Sequence, residues 1–287
     1  MSVARTFDAT RCLLGEGAFW HPVRARFMWF DILSMRLMSR EAGQTRIWSF
    51  NSFASAMGWV DRDRVIVATA TDLRLLDLET GTQEPLCPLE ADDPASRSND
   101  GRADPHGGFW CSTMRIGDDG GAGAIYRYFR GQLTRLRDGI AIANAICFAP
   151  SGRVAYFTDT PTRQVMRWRL DAEGWPLGEP EPLIDLRPAG VNPDGMVTDA
   201  AGNLWLALWG SGRVAVFSSE GRQCGSHPLP AAQSSCPVFG GPGYTTLLVT
   251  SAAAELSQPD LTRNAAHGRT FALRGLGPGR PEPRVIL

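Results

Sequence analysis

Apolar and β-prone residues come in short runs of about five, each cut off within a few positions by glycine or proline. The clearest runs are 26–30, 64–68, 108–112, 154–158, 204–208 and 246–250. Spacing of apolar positions at the helical period is scarce, and 31 glycines and 20 prolines punctuate the chain. Such runs between turn signals predict many short antiparallel strands. The polar stretch 252–264 comes nearest to a helix and reads as an excursion between strands.

The runs repeat as units. His106-Gly107-Gly108 precedes one run, and a second strand pattern follows at 124–128. Ser151-Gly152-Arg153 stands before 154–158 and is followed by 164–168. Ala201-Gly202-Asn203 stands before 204–208 and is followed by 213–217. A turn, strand, loop, strand unit with a period of about 45 residues is the length of a four-stranded propeller blade. The 287 residues hold about six such units, with no linker-like segment between them. The expectation is therefore an all-β, six-bladed β-propeller of four-stranded antiparallel blades, one domain over 1–287.

Four motifs place a carboxylate or an amide at the edge of these runs. They are Leu14-Gly15-Glu16-Gly17, Arg97-Ser98-Asn99-Asp100-Gly101, Ala143-Asn144-Ala145-Ile146 and Pro193-Asp194-Gly195-Met196, the last followed by Asp199 to Trp205. Singly, each has an ordinary explanation. Gly-Glu-Gly and Pro-Asp-Gly are turn signatures, and Asn-Asp-Gly is a common hairpin turn. Asn144 is harder to dismiss, because an amide in so apolar a run must find partners or cost about 1–3 kcal/mol. At blade spacing, all four motifs reach one central axis. Carboxylates and an amide converging there make a set of hard oxygen donors suited to a divalent cation.

Other chemistry is thin. No Gly-x-Ser-x-Gly elbow, His-Glu-x-x-His or Cys-x-x-Cys appears. The four histidines stand beside proline or glycine and read as surface loop residues. Gly275-Leu276-Gly277-Pro278-Gly279 runs into proline and not a helix, which argues against a phosphate cradle. Asp118-Asp119-Gly120-Gly121 could touch a cation but reads as a solvated loop. Trp209, following an inner-strand pattern, is the tryptophan to watch for a ligand contact. Every one of the 29 basic residues is arginine, which removes lysine Schiff-base chemistry. A net charge of −1 gives no bulk case for nucleic acid or an anionic membrane. No run of about 18 apolar residues and no apolar leader in residues 1–10 is present. Six cysteines without metal spacing, Cys111 and Cys147 among them in core patterns, read as free thiols. A cytoplasmic protein is expected, as a monomer or weak homodimer.

At these residues the chain resembles the senescence-marker/gluconolactonase family, also called regucalcin-like. Leu14 to Gly17 with Trp20, Asn99-Asp100-Gly101, Tyr156 to Thr160, Pro193 to Met196, Gly202 to Trp205 and Phe239 to Pro242 stand in family order. Ala207-Leu208-Trp209 and Phe239 to Pro242 look most like the bacterial sugar-lactonase branch. The resemblance implies a propeller with one divalent metal in its channel, held by Glu16, Asn144 and Asp194. It implies calcium first, with zinc, manganese, magnesium or iron(II) as alternatives. Arg97 and Asn99 would hold substrate hydroxyls, and Asp100 would support the site or reach the metal's waters. The chain departs from the family pattern at Ala18, in place of proline, and at Ala145, in place of glycine. Arg115 stands near where some members carry a substrate-contacting acid.

The implied activity is metal-dependent hydrolysis of a sugar (aldono-)lactone to the aldonic acid. The expected partner is thus a small-molecule sugar lactone. Asp194 is the candidate catalytic base, and a water acidified by the cation alone is the competing account. Two other readings stay open: a promiscuous esterase or organophosphate hydrolase, and a non-catalytic calcium-binding regulatory propeller.

Overall fold

The computed structural model describes residues 2–117 and 120–287. Among them, six four-stranded antiparallel sheets form the blades of a propeller. The inner strands are Gly15–His21, Ala54–Trp59, Ser96–Ala103, Ala143–Phe148, Asn192–Thr198 and Ser234–Gly240, in blades 1 to 6. The most apolar runs of the sequence are the second strands, such as Arg26–Asp31, Val154–Asp159 and Leu204–Trp209. They are buried on both faces because a second strand lies between two strands of its own blade and two neighbouring blades. Six apolar clusters fill the six gaps between adjacent blades. The gap between blades 1 and 2, for example, is packed by Phe19, Met28, Phe30, Met57 and Val67. The ring closes through blade 6, whose outermost strand, Arg5–Asp8, comes from the start of the chain and pairs with Thr270–Arg274. The helical excursion expected within 252–264 is the short helix Gln258–Arg263, capped by Ser257, whose side chain accepts the Asp260 N–H.

All six inner strands carry the same irregularity. One extra residue is inserted against the second strand between Glu16 and Phe19, Ala54 and Ala56, Ser98 and Gly101, Asn144 and Cys147, Pro193 and Met196, and Ser234 and Pro237. A bulge bends its strand and re-aims a side chain. Glu16 and Asn144 stand at the edge of such a bulge, and Asn99 and Asp194 stand inside one. The Asn-Asp-Gly and Pro-Asp-Gly sequences are therefore not hairpin turns. They lie within inner strands, where their turn-forming residues make the bulge.

The opposite end of the channel is covered by residues 275–287. The Pro278 carbonyl accepts from Ala200 N at 2.9 Å, and the Glu282 carbonyl accepts from Trp59 Nε1 at 2.7 Å. Val285 N donates to the Trp59 carbonyl at 2.8 Å, and the Val285 side chain is buried between blades 2 and 3. The glycine-rich run 275–279 is thus the start of a strap.

Candidate active site

At the mouth where the inner strands begin, a cavity of about 220 Å³ opens into the channel. Glu16, Arg97, Asn99, Asn144 and Asp194 line it together with the apolar Leu14, Met114, Ile142 and Trp209. Thr160, Asn192 and Glu255 complete the lining. The structure thus brings Glu16, Arg97, Asn99, Asn144 and Asp194 into one pocket, each less than a tenth exposed.

The polar wall is one hydrogen-bonded chain across three blades. Arg97 donates from Nη1 to Asn99 Oδ1 at 2.9 Å and to the Ser98 carbonyl at 2.9 Å. Asn99 Nδ2 donates to Asn144 Oδ1 at 2.9 Å and to the Ala143 carbonyl at 3.0 Å. Asn144 Nδ2 donates to Thr160 Oγ1 at 3.0 Å, and Thr160 passes the chain to the Pro193 carbonyl at 2.9 Å. This answers the question that the apolar run around Asn144 raised: the amide has a partner at each end. With Nδ2 committed to Thr160, Oδ1 faces the pocket with one lone pair still open.

Glu16 and Asp194 form the other wall and lie within hydrogen-bonding reach of each other. Burial, then the charge of Asp100, pushes Glu16 up to about 8. Burial, then Glu16 and Asp100, holds Asp194 well above the usual carboxylate range. Arg97, among the described residues the one cation lining the pocket, is brought down to about 10 by burial, with Glu16 and Asp194 opposing that shift. Two buried acids that repel one another are the arrangement that a positive ion relieves. The donor set of two carboxylates and an amide oxygen fits a hard divalent cation. Among the described residues no group of three or more His, Cys, Asp and Glu gathers as a metal cluster. The site is a two-acid set completed by an amide.

Asp100 does not line the pocket. It is buried behind it, where Oδ2 accepts the Ile146 N–H at 2.7 Å and Oδ1 accepts the Gly101 N–H at 2.8 Å. It therefore braces the bulge that follows Asn144, where Ala145 takes a left-handed φ of 59°. Arg115 pairs with Asp93 at 2.8 Å, away from the lining residues. Asp199 is also outside the pocket; it holds its own turn by accepting from Ala201 N, Asn203 N and Trp205 Nε1. Trp209 does line the pocket, but from the end of a second strand and not an inner one.

Three of the four histidines depart from their reading as surface loop residues, while His106 does lie in a turn. His21 lies fully buried in an inner strand, and His267 is buried. His227 sits in a strand, stacked on Trp205. None lines the pocket. Residues 118 and 119 of the Asp-Asp-Gly-Gly loop lie outside the described residues. Thr160 and Glu255 are pocket residues that sequence reading passed over. Thr160 stood inside the Tyr156 to Thr160 motif, but nothing in its type marked it as the brace of an amide 16 positions earlier.

Fold and pocket define a six-bladed propeller with an acid-and-amide site at the mouth of its channel. The chain belongs to the SMP-30/gluconolactonase/LRE-like family, whose model matches residues 14–253. It is 32% identical over 294 residues to a pentonolactonase of Haloferax volcanii, covering 99% of this chain and 98% of that protein. It is 31% identical to a 6-deoxy-6-sulfogluconolactonase of Pseudomonas putida, covering 94% of each. The crystal structure of a calcium-binding protein, regucalcin, from Agrobacterium tumefaciens superposes with a TM-score of 0.97 at 37% identity, covering 100% of this chain and 98% of the other.

Proposed function

We propose that this chain is a hydrolase that opens sugar lactones to aldonic acids, with one divalent cation held by Glu16, Asn144 and Asp194. The observation that carries this reading is the pairing of two buried, mutually repelling carboxylates with an amide oxygen, in a pocket walled on its other side by Arg97 and Asn99. The lactonase names of the relatives support the reaction class. The calcium-binding relative supports calcium as the first ion to test, ahead of zinc, manganese, magnesium and iron(II).

A cation bound there supplies Lewis-acid polarisation of the lactone carbonyl and lowers the pKa of a nearby water. The chain's own residues do the rest. A cavity of 220 Å³ is smaller than the roughly 300–1,000 Å³ typical for drug-sized ligands, and suits a single sugar ring. Leu14, Met114, Ile142 and Trp209 give that ring an apolar wall and keep bulk water from its face. Arg97 offers donors, and Asn99 both a donor and an acceptor, for ring hydroxyls. The Asp194 carboxylate receives the proton of the attacking water and returns it to the ring oxygen as the acyl C–O bond breaks. The product is the hydroxy acid, and the proton balance closes. The six unpaired cysteines suit a reducing compartment such as the cytoplasm.

The test is a rate assay on gluconolactone, galactonolactone, arabinonolactone and xylonolactone, with spontaneous hydrolysis subtracted. The expected result is a rate above background on at least one, lost with chelator and restored by a divalent ion. Asp194→Ala should lose both ion and rate while remaining folded. Ion binding without any rate across the panel would favour the calcium-binding reading instead.

A further inference from the structure

Across the pocket from the Arg97 and Asn99 wall stands a carboxylate to which the proposed mechanism gives no part. Glu255 lines the cavity from blade 6, which faces blade 3 in a ring of six. It sits in the 18-residue crossing between Thr246–Ser251 and Thr270–Arg274, the longest connection inside any blade among the described residues. This crossing is anchored directly beside the site. Ala253 N and Ala254 N donate to the Leu13 carbonyl at 3.1 and 2.8 Å, one residue before the pocket residue Leu14. Glu255 itself takes a φ of 62°, a left-handed conformation that side-chain-bearing residues other than Asn and Asp seldom adopt. Such conformations persist where the surroundings hold them, often at functional sites. Its side chain is exposed, and among the described residues no hydrogen bond or ion pair engages it. It is an uncommitted acceptor held at the mouth of a pocket whose deeper acids are already taken.

Resting on the lactonase reading, we infer that Glu255 is a specificity-determining residue: its carboxylate accepts a hydrogen bond from a hydroxyl of a neutral sugar lactone and repels a lactone bearing an anionic substituent. Among the described residues Arg97 is the only cation lining the pocket, and it is already shared with Asn99 and drawn toward Glu16 and Asp194. An anionic group at the blade 6 side therefore meets a like charge, and the cation proposed between Glu16 and Asp194 is already balanced by those two carboxylates.

The experiment compares wild type, Glu255→Gln and Glu255→Ala on gluconolactone and on 6-deoxy-6-sulfogluconolactone, with ion content and thermal midpoint as controls. For gluconolactone, Glu255→Ala should raise KM about five- to twenty-fold with kcat little changed, the size of one lost charge-assisted hydrogen bond at a wet rim. Glu255→Gln, which keeps an acceptor, should raise it less. For the sulfonated lactone, both variants should raise kcat/KM by about five- to tenfold as the repulsion goes. A wild type that opens neither lactone takes the lactonase reading down together with this one. An active wild type whose variants keep the same KM and the same preference between the two lactones removes Glu255 alone. So would an equal loss on both substrates with a lowered midpoint, since that marks a structural role.

Discussion

Two neighbours orient Asn144 as a ligand: Asn99 Nδ2 donates to its Oδ1, and Thr160 accepts from its Nδ2 while donating to the Pro193 carbonyl. Thr160→Val keeps the shape and removes both bonds. Partners behind a metal ligand are commonly worth 10–100-fold in affinity, so ion affinity measured by calorimetry should fall by about that factor while the fold persists. Unchanged affinity would mean that Asn144 is held by Asn99 alone. Gly17, next to Glu16, poses a backbone question. Its φ is 53°, and a Cβ there would stand 2.2 Å from the Ser55 carbonyl oxygen of the neighbouring blade. Gly17→Ala should therefore cost about 2 kcal/mol or more, through both strain and clash. It should also displace Glu16 and lower ion content, as metal analysis at matched protein concentration would reveal. Ala145 shows that the left-handed bulge alone tolerates a methyl group, so it is the approach of Ser55 that makes glycine necessary at position 17. The residue types of the pocket could be picked out in the sequence because charge and amide stand out against apolar runs. Their partners could not: Asn144 pairs with Thr160 sixteen positions on, Asn99 pairs with Asn144 in the next blade, and nothing local encodes either bond.

Among elements, the second strands were the visible ones and the inner strands the hidden ones. A second strand is covered on both faces, so it reads as a continuous apolar run. An inner strand carries polar groups at its bulge, and glycine, asparagine and proline there imitate turns. The blade count survived because the turn signals repeat even where individual strands are mistaken. The C-terminal strap was not legible at all: residues 275–287 have loop composition, yet they place Glu282 against Arg102 in a buried ion pair beneath the channel. Removing one member of such a pair leaves a buried charge and costs about 3–5 kcal/mol. Glu282→Ala should therefore lower stability in urea by about that amount. Val285→Ala, which only vacates an apolar slot between blades 2 and 3, should cost about 2 kcal/mol. If the two were equal, packing and not charge pairing would be what holds the strap. Neither variant touches the pocket, so both should retain kcat at temperatures where they are folded.

At the scale of the whole ring, stability depends on every gap between blades staying closed, and the gap between blades 1 and 2 carries a pH sensor. His21 is fully buried in the inner strand of blade 1, between Phe19 and Trp59. Its Nδ1 accepts the Arg24 N–H at 3.2 Å, and among the described residues Nε2 has no hydrogen-bond partner. Burial, then the charge of Arg24, lowers it from the ordinary 6.5 to about 4. The unfolded chain therefore binds a proton between pH 6.5 and 4 that the folded ring refuses, so stability falls as pH falls through that window. Allowing for partial solvent screening, the loss amounts to about 2 kcal/mol. Glu16 and Asp194, raised in the ion-free protein, act in the opposite direction, because the folded state then holds protons more tightly than the unfolded one. The measurement is accordingly a comparison between two proteins in chelator: urea midpoints of wild type and His21→Gln at pH 7, 6, 5 and 4. The carboxylate contribution is common to both and cancels in the difference. Wild type should lose about 2 kcal/mol more than the variant across the series, most of it between pH 6 and 4. Parallel curves would mean that His21 takes up its proton without opening the ring, with the charge finding the Nε2 partner that the neutral form lacks.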